Sequence, residues 1–98
     1  MILLALFGCG PTYEEGMIEQ GRLHCELLEA CDELGTVGYD SVNACIESAE
    51  AQDFSDCPTS AYRSESMQAC VEAWEAAVAN EDCDASPTEC MPAQVCPQ

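Results

Sequence analysis

The sequence contains no lysine and only two basic residues, Arg22 and Arg63, against 19 aspartates and glutamates. The resulting net charge of −17 would repel the phosphate backbone of DNA or RNA, which argues against nucleic acid as a partner. The same charge would repel anionic lipid headgroups. If the protein is attached to a membrane, the attachment must therefore come from something other than its charge.

Other sequence patterns that are missing restrict the possible fold classes and the possible kinds of functional site. No run of alternating β-branched residues predicts a strand. No Cys-x2-Cys motif is present to indicate a zinc site or a thioredoxin-like redox centre. The apolar run at residues 2–9 has eight residues, whereas a transmembrane helix needs about 20, and no later stretch is apolar enough. These absences favour a helical chain without a membrane-spanning segment.

Cysteine, by contrast, is abundant, with nine in 98 residues. This is the composition of a disulfide scaffold exported to an oxidising compartment. A chain of this length makes one small domain, and a small core is commonly supported by covalent bridges. If Cys9 does not take part in a disulfide, eight cysteines remain, and they can form four bridges with no thiol left over. The eight predicted disulfide cysteines are Cys25, Cys31, Cys45, Cys57, Cys70, Cys83, Cys90 and Cys96.

The N-terminal stretch accounts for the ninth cysteine. Residues 2–9, Ile-Leu-Leu-Ala-Leu-Phe-Gly-Cys, are an apolar run that ends in a small residue and a cysteine, as in a signal peptide leading into a lipid-attachment site. Residues 6–9 resemble the lipobox of bacterial lipoproteins. The resemblance implies cleavage after Gly8 and acylation of Cys9. No basic residue precedes the run, so we expect the true start of translation to lie upstream of Met1.

These features divide the chain into a truncated signal at residues 1–8, a lipidated tether at residues 9–14 and a cysteine-rich helical domain at residues 15–98. Gly10 and Pro11 interrupt the apolar segment, which favours a tether there. We expect acyl chains to supply the membrane attachment, and the acidic domain to be held away from the lipid surface.

Helical spacing of apolar residues predicts the first two helices. Leu23 and Leu27 belong to a stripe in a helix over residues 14–34, which Gly35 is expected to end. A second stripe that includes Cys45 predicts a helix over about residues 41–52.

A third stripe, which includes Met67 and Trp74 as core residues, predicts a helix that starts between Ser60 and Ser64 and ends near Ala79. Residues 86–89, Ser-Pro-Thr-Glu, match a capping box with proline at the first helical position, so a single helical turn is expected near residues 87–91. The predicted fold class is therefore all-α: a small disulfide-stapled bundle of three helices plus a short C-terminal helical turn.

The expected antiparallel packing of the first two helices ranks the disulfide pairs. Cys31 and Cys45 lie nearly equidistant from the centre of the connecting loop and on apolar stripes, so Cys31–Cys45 is the best predicted pair. Many connectivities remain open for eight cysteines. The nested completion consists of Cys25–Cys57, Cys70–Cys96 and Cys83–Cys90.

No residue pattern predicts a catalytic site. His24 and Cys25 are the only neighbouring histidine and cysteine, and a partly exposed histidine beside a disulfide explains the pair better than a metal site or a nucleophile. The glutamate pairs Glu26/Glu29 and Glu72/Glu75 lie on predicted solvent faces, where a solvated helix surface is the simpler interpretation.

One segment partly matches a calcium loop, since Asp82, Asp84 and Ser86 occupy its first ligand positions. The match then fails, because Pro87 stands where the loop needs glycine and no glutamate follows at the twelfth position. We therefore predict no catalytic residue, no dedicated metal site and no cofactor.

The sequence also contains a weak internal repeat, since residues 44–47, Ala-Cys-Ile-Glu, recur as Ala-Cys-Val-Glu at residues 69–72. Together with the lipobox, the following Gly10 and the acidic, lysine-free body, it resembles the small cysteine-rich lipoproteins common in myxobacterial genomes. The resemblance implies a location in the bacterial cell envelope, facing the periplasm or the surface, and no established activity. Gly10, where an aspartate would favour retention at the inner membrane, favours the outer membrane.

We therefore predict a non-enzymatic lipoprotein that is held on the membrane by N-terminal acyl chains and acts through contacts with another envelope protein. Two alternatives remain open at this point: a freely secreted disulfide-rich effector or inhibitor, and an envelope metal-binding protein.

Overall fold

The computed structural model describes residues 10–98, and within that range it contains helices and no strand. The predicted all-α, disulfide-stapled class is therefore confirmed. The elements are α1 (Tyr13–Ala30), α2 (Val42–Glu50), α3 (Ser64–Ala79), a 3-10 turn (Thr88–Cys90) and α4 (Pro92–Val95). No helix in this part of the chain is both long and apolar enough to cross a membrane. The predicted signal at residues 1–8, its cleavage point at Gly8, and Cys9 lie outside the described residues.

The folded domain begins earlier than predicted, at Gly10 rather than at residue 15. A capping box starts α1, because the Thr12 hydroxyl accepts a hydrogen bond from the Glu15 N–H (3.2 Å) and the Glu15 carboxylate accepts one from the Thr12 N–H (3.0 Å). Pro11 is buried, and its carbonyl accepts a hydrogen bond from the Tyr62 hydroxyl. Residues 10–12 thus pack onto the domain, where the sequence had suggested a tether.

The helix α1 ends at Ala30, four residues before its predicted end, and without the predicted glycine. Asp32 adopts a left-handed conformation (φ 57°), and the N–H of Glu33 donates to the Leu28 carbonyl (2.8 Å). This is the Schellman arrangement, which satisfies the last carbonyls of a helix. Gly35 lies in the following loop.

The helix α3 ends in the same way. Glu81 has φ 48°, and the N–H of Asp82 donates to the Ala77 carbonyl (2.9 Å). Both long helices therefore close with an acidic residue in the conformation that glycine adopts most easily.

The helix α1 is central because it has two apolar faces. Leu23 and Leu27 pack against α3, whereas Cys25 and Leu28 pack toward α2. Met67 and Trp74 are buried on α3, at 0% and 7% exposure, which confirms their predicted place in the core. The remaining buried partners are Cys45, Cys70, Val71, Ala77 and Val95.

Two glycines allow the close approach of the helices. A Cβ on Gly16 would overlap Cγ and Sδ of Met67 on α3, and a Cβ on Gly21 would lie 2.8 Å from Cβ of Ala49 on α2. Real Cβ atoms essentially never show contacts this close, so a larger residue at Gly16 would force Met67 to repack and one at Gly21 would push α2 away.

The directions of the helices follow from these contacts. The helices α1 and α3 run parallel, since Gly16 meets Met67 near their starts and Cys31 is bridged to Cys83 just beyond their ends. The segment after α3 runs back along it, and the Arg63 N–H donates to the Val95 carbonyl (2.9 Å). The last residues of the chain therefore lie at the same end of the bundle as the start of α1.

All eight predicted disulfide cysteines are paired, but each of the four predicted pairs is wrong. The observed bridges are Cys25–Cys45, Cys31–Cys83, Cys57–Cys96 and Cys70–Cys90, with Cα–Cα distances of 5.8, 5.8, 6.0 and 4.7 Å.

The register of α1 against α2 explains why Cys31 does not bridge Cys45. Cys25 and Cys45 lie symmetrically about Gly35, ten residues to either side. Residue 31 would need a partner at residue 39, but residues 31–41 form the loop. Because α1 ends at Ala30, Cys31 turns instead toward the α3 core.

The parallel arrangement of α1 and α3 explains the other corrections. It brings Cys83, which follows α3, beside Cys31, which follows α1. The returning C-terminal segment then places Cys90 beside Cys70 and carries Cys96 to Cys57, just before α3. Cys25 is bridged to Cys45, so the predicted pair Cys25–Cys57 does not form. The predicted pairs Cys70–Cys96 and Cys83–Cys90 do not form either.

Candidate functional site

Stretches of chain that contain no acidic residue meet at the end of the domain where Gly10 lies. The two longest stretches without aspartate or glutamate in the described part of the chain are residues 57–64 and 90–98. The Cys57–Cys96 bridge and the Arg63–Val95 backbone hydrogen bond hold these stretches together. We call the surface formed by residues 10–12, 57–64 and 96–98 the anchor face.

Gly10 lies directly on this face. Its φ is 69°, and an added Cβ would stand 3.2 Å from the Ser64 carbonyl oxygen and 3.5 Å from Oε1 of Gln68. Both the backbone conformation and the lack of space favour glycine here. Because Cys9 is joined to Gly10 by one peptide bond, the chain reaches the domain at the start of α3.

Two tyrosines hold the entering chain in place. The Tyr62 hydroxyl donates to the Pro11 carbonyl, and the Tyr62 ring meets the Tyr13 ring edge to face, with centroids 5.7 Å apart. The Tyr13 hydroxyl donates in turn to Asp56 (3.2 Å). Burial, with a smaller contribution from Glu15, raises the pKa of Tyr62 to about 12. Burial and the nearby Asp56 carboxylate also raise the pKa of Tyr13.

The two arginines differ in whether they form ion pairs. Arg22, on α1, pairs with Glu19 (2.6 Å) and with Glu26. The hydrogen bond from Arg22 lowers the pKa of Glu19, and the same contact raises the pKa of Arg22. Arg63, on the anchor face, is exposed and forms no salt bridge within residues 10–98. The surface around Gly10 therefore carries an exposed arginine that is not held in an ion pair within the described residues.

The opposite end of the bundle, where α1 and α3 finish, is strongly acidic. We call this region the distal end. It contains the Cys31–Cys83 bridge and the C-termini of the two long helices, whose dipoles add negative potential. Its acidic residues are Glu29, Asp32, Glu33, Asp40, Glu81, Asp82 and Asp84.

A cleft of about 270 Å³ lies between α1, α2 and the loop that joins them. His24 stands at the cleft, and its ring lies against Trp74 with centroids 4.7 Å apart and planes tilted by 31°. Burial lowers the pKa of His24, while Glu33 acts in the opposite direction. The cleft also contains Cys25 and Cys45, but their sulfurs are bridged to each other and do not provide a nucleophile.

The partial calcium loop forms a local turn. The N–H of Asp84 donates to Oδ1 of Asp82 (3.3 Å), so this carboxylate is engaged with its own loop. Within residues 10–98 no group of three or more histidine, cysteine, aspartate or glutamate side chains is arranged to hold a metal ion. Of the paired glutamates considered above, Glu26 binds Arg22 and Glu72 accepts a hydrogen bond from Gln68 (3.3 Å).

The anchor face was missed by the sequence analysis. Its signal was present, because the two longest acid-free stretches stand out in a chain with 19 acidic residues. They are separated by α3 in sequence, however, and it is the Cys57–Cys96 bridge and the Arg63–Val95 hydrogen bond of the folded chain that show that they adjoin.

In comparison with known proteins, no family model matches this chain, and no curated protein or solved structure matches it. The likeness to cysteine-rich lipoproteins remains a prediction from the sequence.

Proposed function

We propose that this protein is a lipid-anchored, non-enzymatic protein of the bacterial cell envelope. It is attached through acyl chains on Cys9 and acts through contacts between its folded surface and another envelope protein. The disulfide pairing supports this proposal most directly, because each of the eight cysteines between residues 25 and 96 pairs with another of the eight. None of them takes Cys9 as its partner, which fits the use of that thiol for lipid.

The environment of the remaining reactive groups supports a binding role over catalysis. The cysteines of residues 10–98 are bridged, and a disulfide sulfur does not act as a thiolate nucleophile. His24 is the sole histidine, and its ring is stacked on Trp74.

Mass spectrometry of the mature N-terminus tests this proposal. Protein isolated from its native cells should begin at Cys9 and carry the added mass of two or three acyl chains. Cys9→Ser should remove that mass and release the protein from the membrane fraction, while the four bridges persist in peptide maps. A mature chain with an unmodified Cys9, or with another cleavage point, would contradict the proposal and favour a freely secreted effector.

A further inference from the structure

We propose that the anchor face lies directly against the phospholipid headgroups, so that the domain sits on the bilayer in one orientation, with the distal end outward. This inference rests on the proposed acylation of Cys9. It replaces the expectation that a tether holds the domain away from the membrane.

Chain length is the first argument. The Cα atoms of Cys9 and Gly10 are about 3.8 Å apart, as in any trans peptide. The headgroup layer on each side of a bilayer is about 5–8 Å thick. With the acyl chains of Cys9 in the hydrocarbon, Gly10 lies within the headgroup layer. Since Gly10 packs against Ser64, the start of α3 must lie in or beside this layer.

The fixed conformation of residues 10–12 leaves no flexible segment between Gly10 and the domain. Pro11 is buried, Thr12 caps α1, and the Tyr62 hydroxyl binds the Pro11 carbonyl. A flexible linker would need several unattached residues between the lipid and the first contact with the domain, but the first contact is made by Gly10 itself.

Charge is the second and independent argument. Residues 57–64 contain no acid and include Arg63, which has no salt-bridge partner in the described chain. A phosphate headgroup can accept hydrogen bonds from such a guanidinium. Four acidic residues border the face: Glu15 is held in the capping box, Asp56 accepts a hydrogen bond from Tyr13, and Glu14 and Glu65 are exposed.

The fold keeps the acids of the distal end away from the lipid. The helix α1 has 18 residues and is therefore about 27 Å long. This exceeds the Debye length of about 8 Å at physiological salt, so the acids at the distal end are not significantly repelled by headgroups on which the anchor face rests. The surface left for a protein partner is then the distal end and the flanks of the bundle.

Hydrogen exchange on vesicles tests the orientation. The lipidated protein in phosphatidylcholine vesicles is compared with Cys9→Ser protein in solution. Amides of residues 57–64 should exchange about fivefold or more slowly on the vesicle, because the bilayer excludes water from them, whereas amides of residues 80–86 should change less than about twofold. Equal slowing of both segments, slowing of residues 80–86 alone, or no slowing at all would overturn the proposal.

Two variants separate orientation from attachment. Insertion of a 12-residue Gly/Ser linker between Cys9 and Gly10, with a reach of about 20 Å, should leave the protein on the vesicle and abolish the protection of residues 57–64. Arg63→Gln should reduce that protection by about half or more, while Arg22→Gln, which changes the net charge equally, should leave it unchanged. Protection that survives the linker would count against direct contact.

The experiment also distinguishes this inference from the proposed function. If native protein proves to lack acyl chains, the proposed function fails. A lipid maleimide coupled to Cys9 would then still report whether the anchor face meets a bilayer when the chain is held there.

Discussion

His24, whose ring lies against Trp74, makes the stability of the domain depend on pH. Because burial lowers the pKa of His24 below its ordinary value of 6.5, the unfolded chain binds a proton at a higher pH than the folded chain does. The free energy of unfolding should therefore fall as the pH drops below about 6.5, the unfolded-state value.

The single tryptophan offers the measurement. In the folded protein the fluorescence of Trp74 should titrate with a midpoint below 6.5, since a charged imidazole 4.7 Å away quenches the indole. His24→Phe keeps the ring contact and should abolish the titration. A midpoint at or above 6.5, or a titration that persists in His24→Phe, would show that burial does not control this group.

Sequence patterns identify the buried residues well and the conformationally unusual ones poorly. The helical spacing of Met67 and Trp74 predicts their burial correctly, because packing against one face of a helix is what creates that spacing. Asp32 and Glu81 carry no comparable signal. Their left-handed conformations come from the geometry of the helix ends, and Gly35 nearby is the more usual choice for that position.

At the scale of elements, Gly16 sets the distance between α1 and α3. Gly16→Ala should lower the free energy of unfolding by about 1–2 kcal/mol, the difference between an overpacking cost of about 2–3 kcal/mol and the gain in helix propensity, because the added methyl would overlap Met67, which is fully buried and would have to repack. The gain in helix propensity from glycine to alanine, about 1 kcal/mol, is smaller than this cost.

Urea unfolding with intact disulfides measures the effect, and Gly35→Ala is the control. A Cβ added at Gly35 would have no atom within 4 Å, and the residue lies in a loop, so this change should be neutral or add about 0.4–1 kcal/mol. A Gly16→Ala protein as stable as the parent would mean that the two helices do not approach as closely as described.

Helix positions were predictable, but their mutual directions were not. Periodicity and capping residues are local, so the three main helices appear within a few residues of their predicted bounds. The parallel relation of α1 and α3 depends on the long return that residues 51–63 make to the start of the bundle. Without that relation, Cys31 and Cys83 have no reason to be paired.

For the whole molecule, the bridges should open in an order set by exposure. Cys83 is exposed and Cys31 half-buried, whereas Cys25 and Cys45 are only 3% and 4% exposed. Limited reduction followed by alkylation and peptide mapping should therefore label Cys31 and Cys83 before Cys25 and Cys45.

Loss of the Cys31–Cys83 bridge should be costly. It closes 52 residues of sequence separation, for which the chain-entropy estimate is about 4 kcal/mol. Complete reduction should unfold the domain, as followed by helical circular dichroism. Simultaneous labelling of all four bridges at low reductant, or unchanged circular dichroism after full reduction, would contradict this account.

The order of the cysteines along the chain has a consequence for biogenesis. No bridge joins two cysteines that are consecutive in the sequence. Of the cysteines that form bridges, Cys25 and Cys31 emerge first from a translocon, and a bond that an oxidase closes between these two is absent from the mature protein. Such bonds must be broken and exchanged by attack of a thiolate. We therefore expect maturation to depend on a disulfide isomerase, and refolding yields in vitro to rise when one is added to the oxidant.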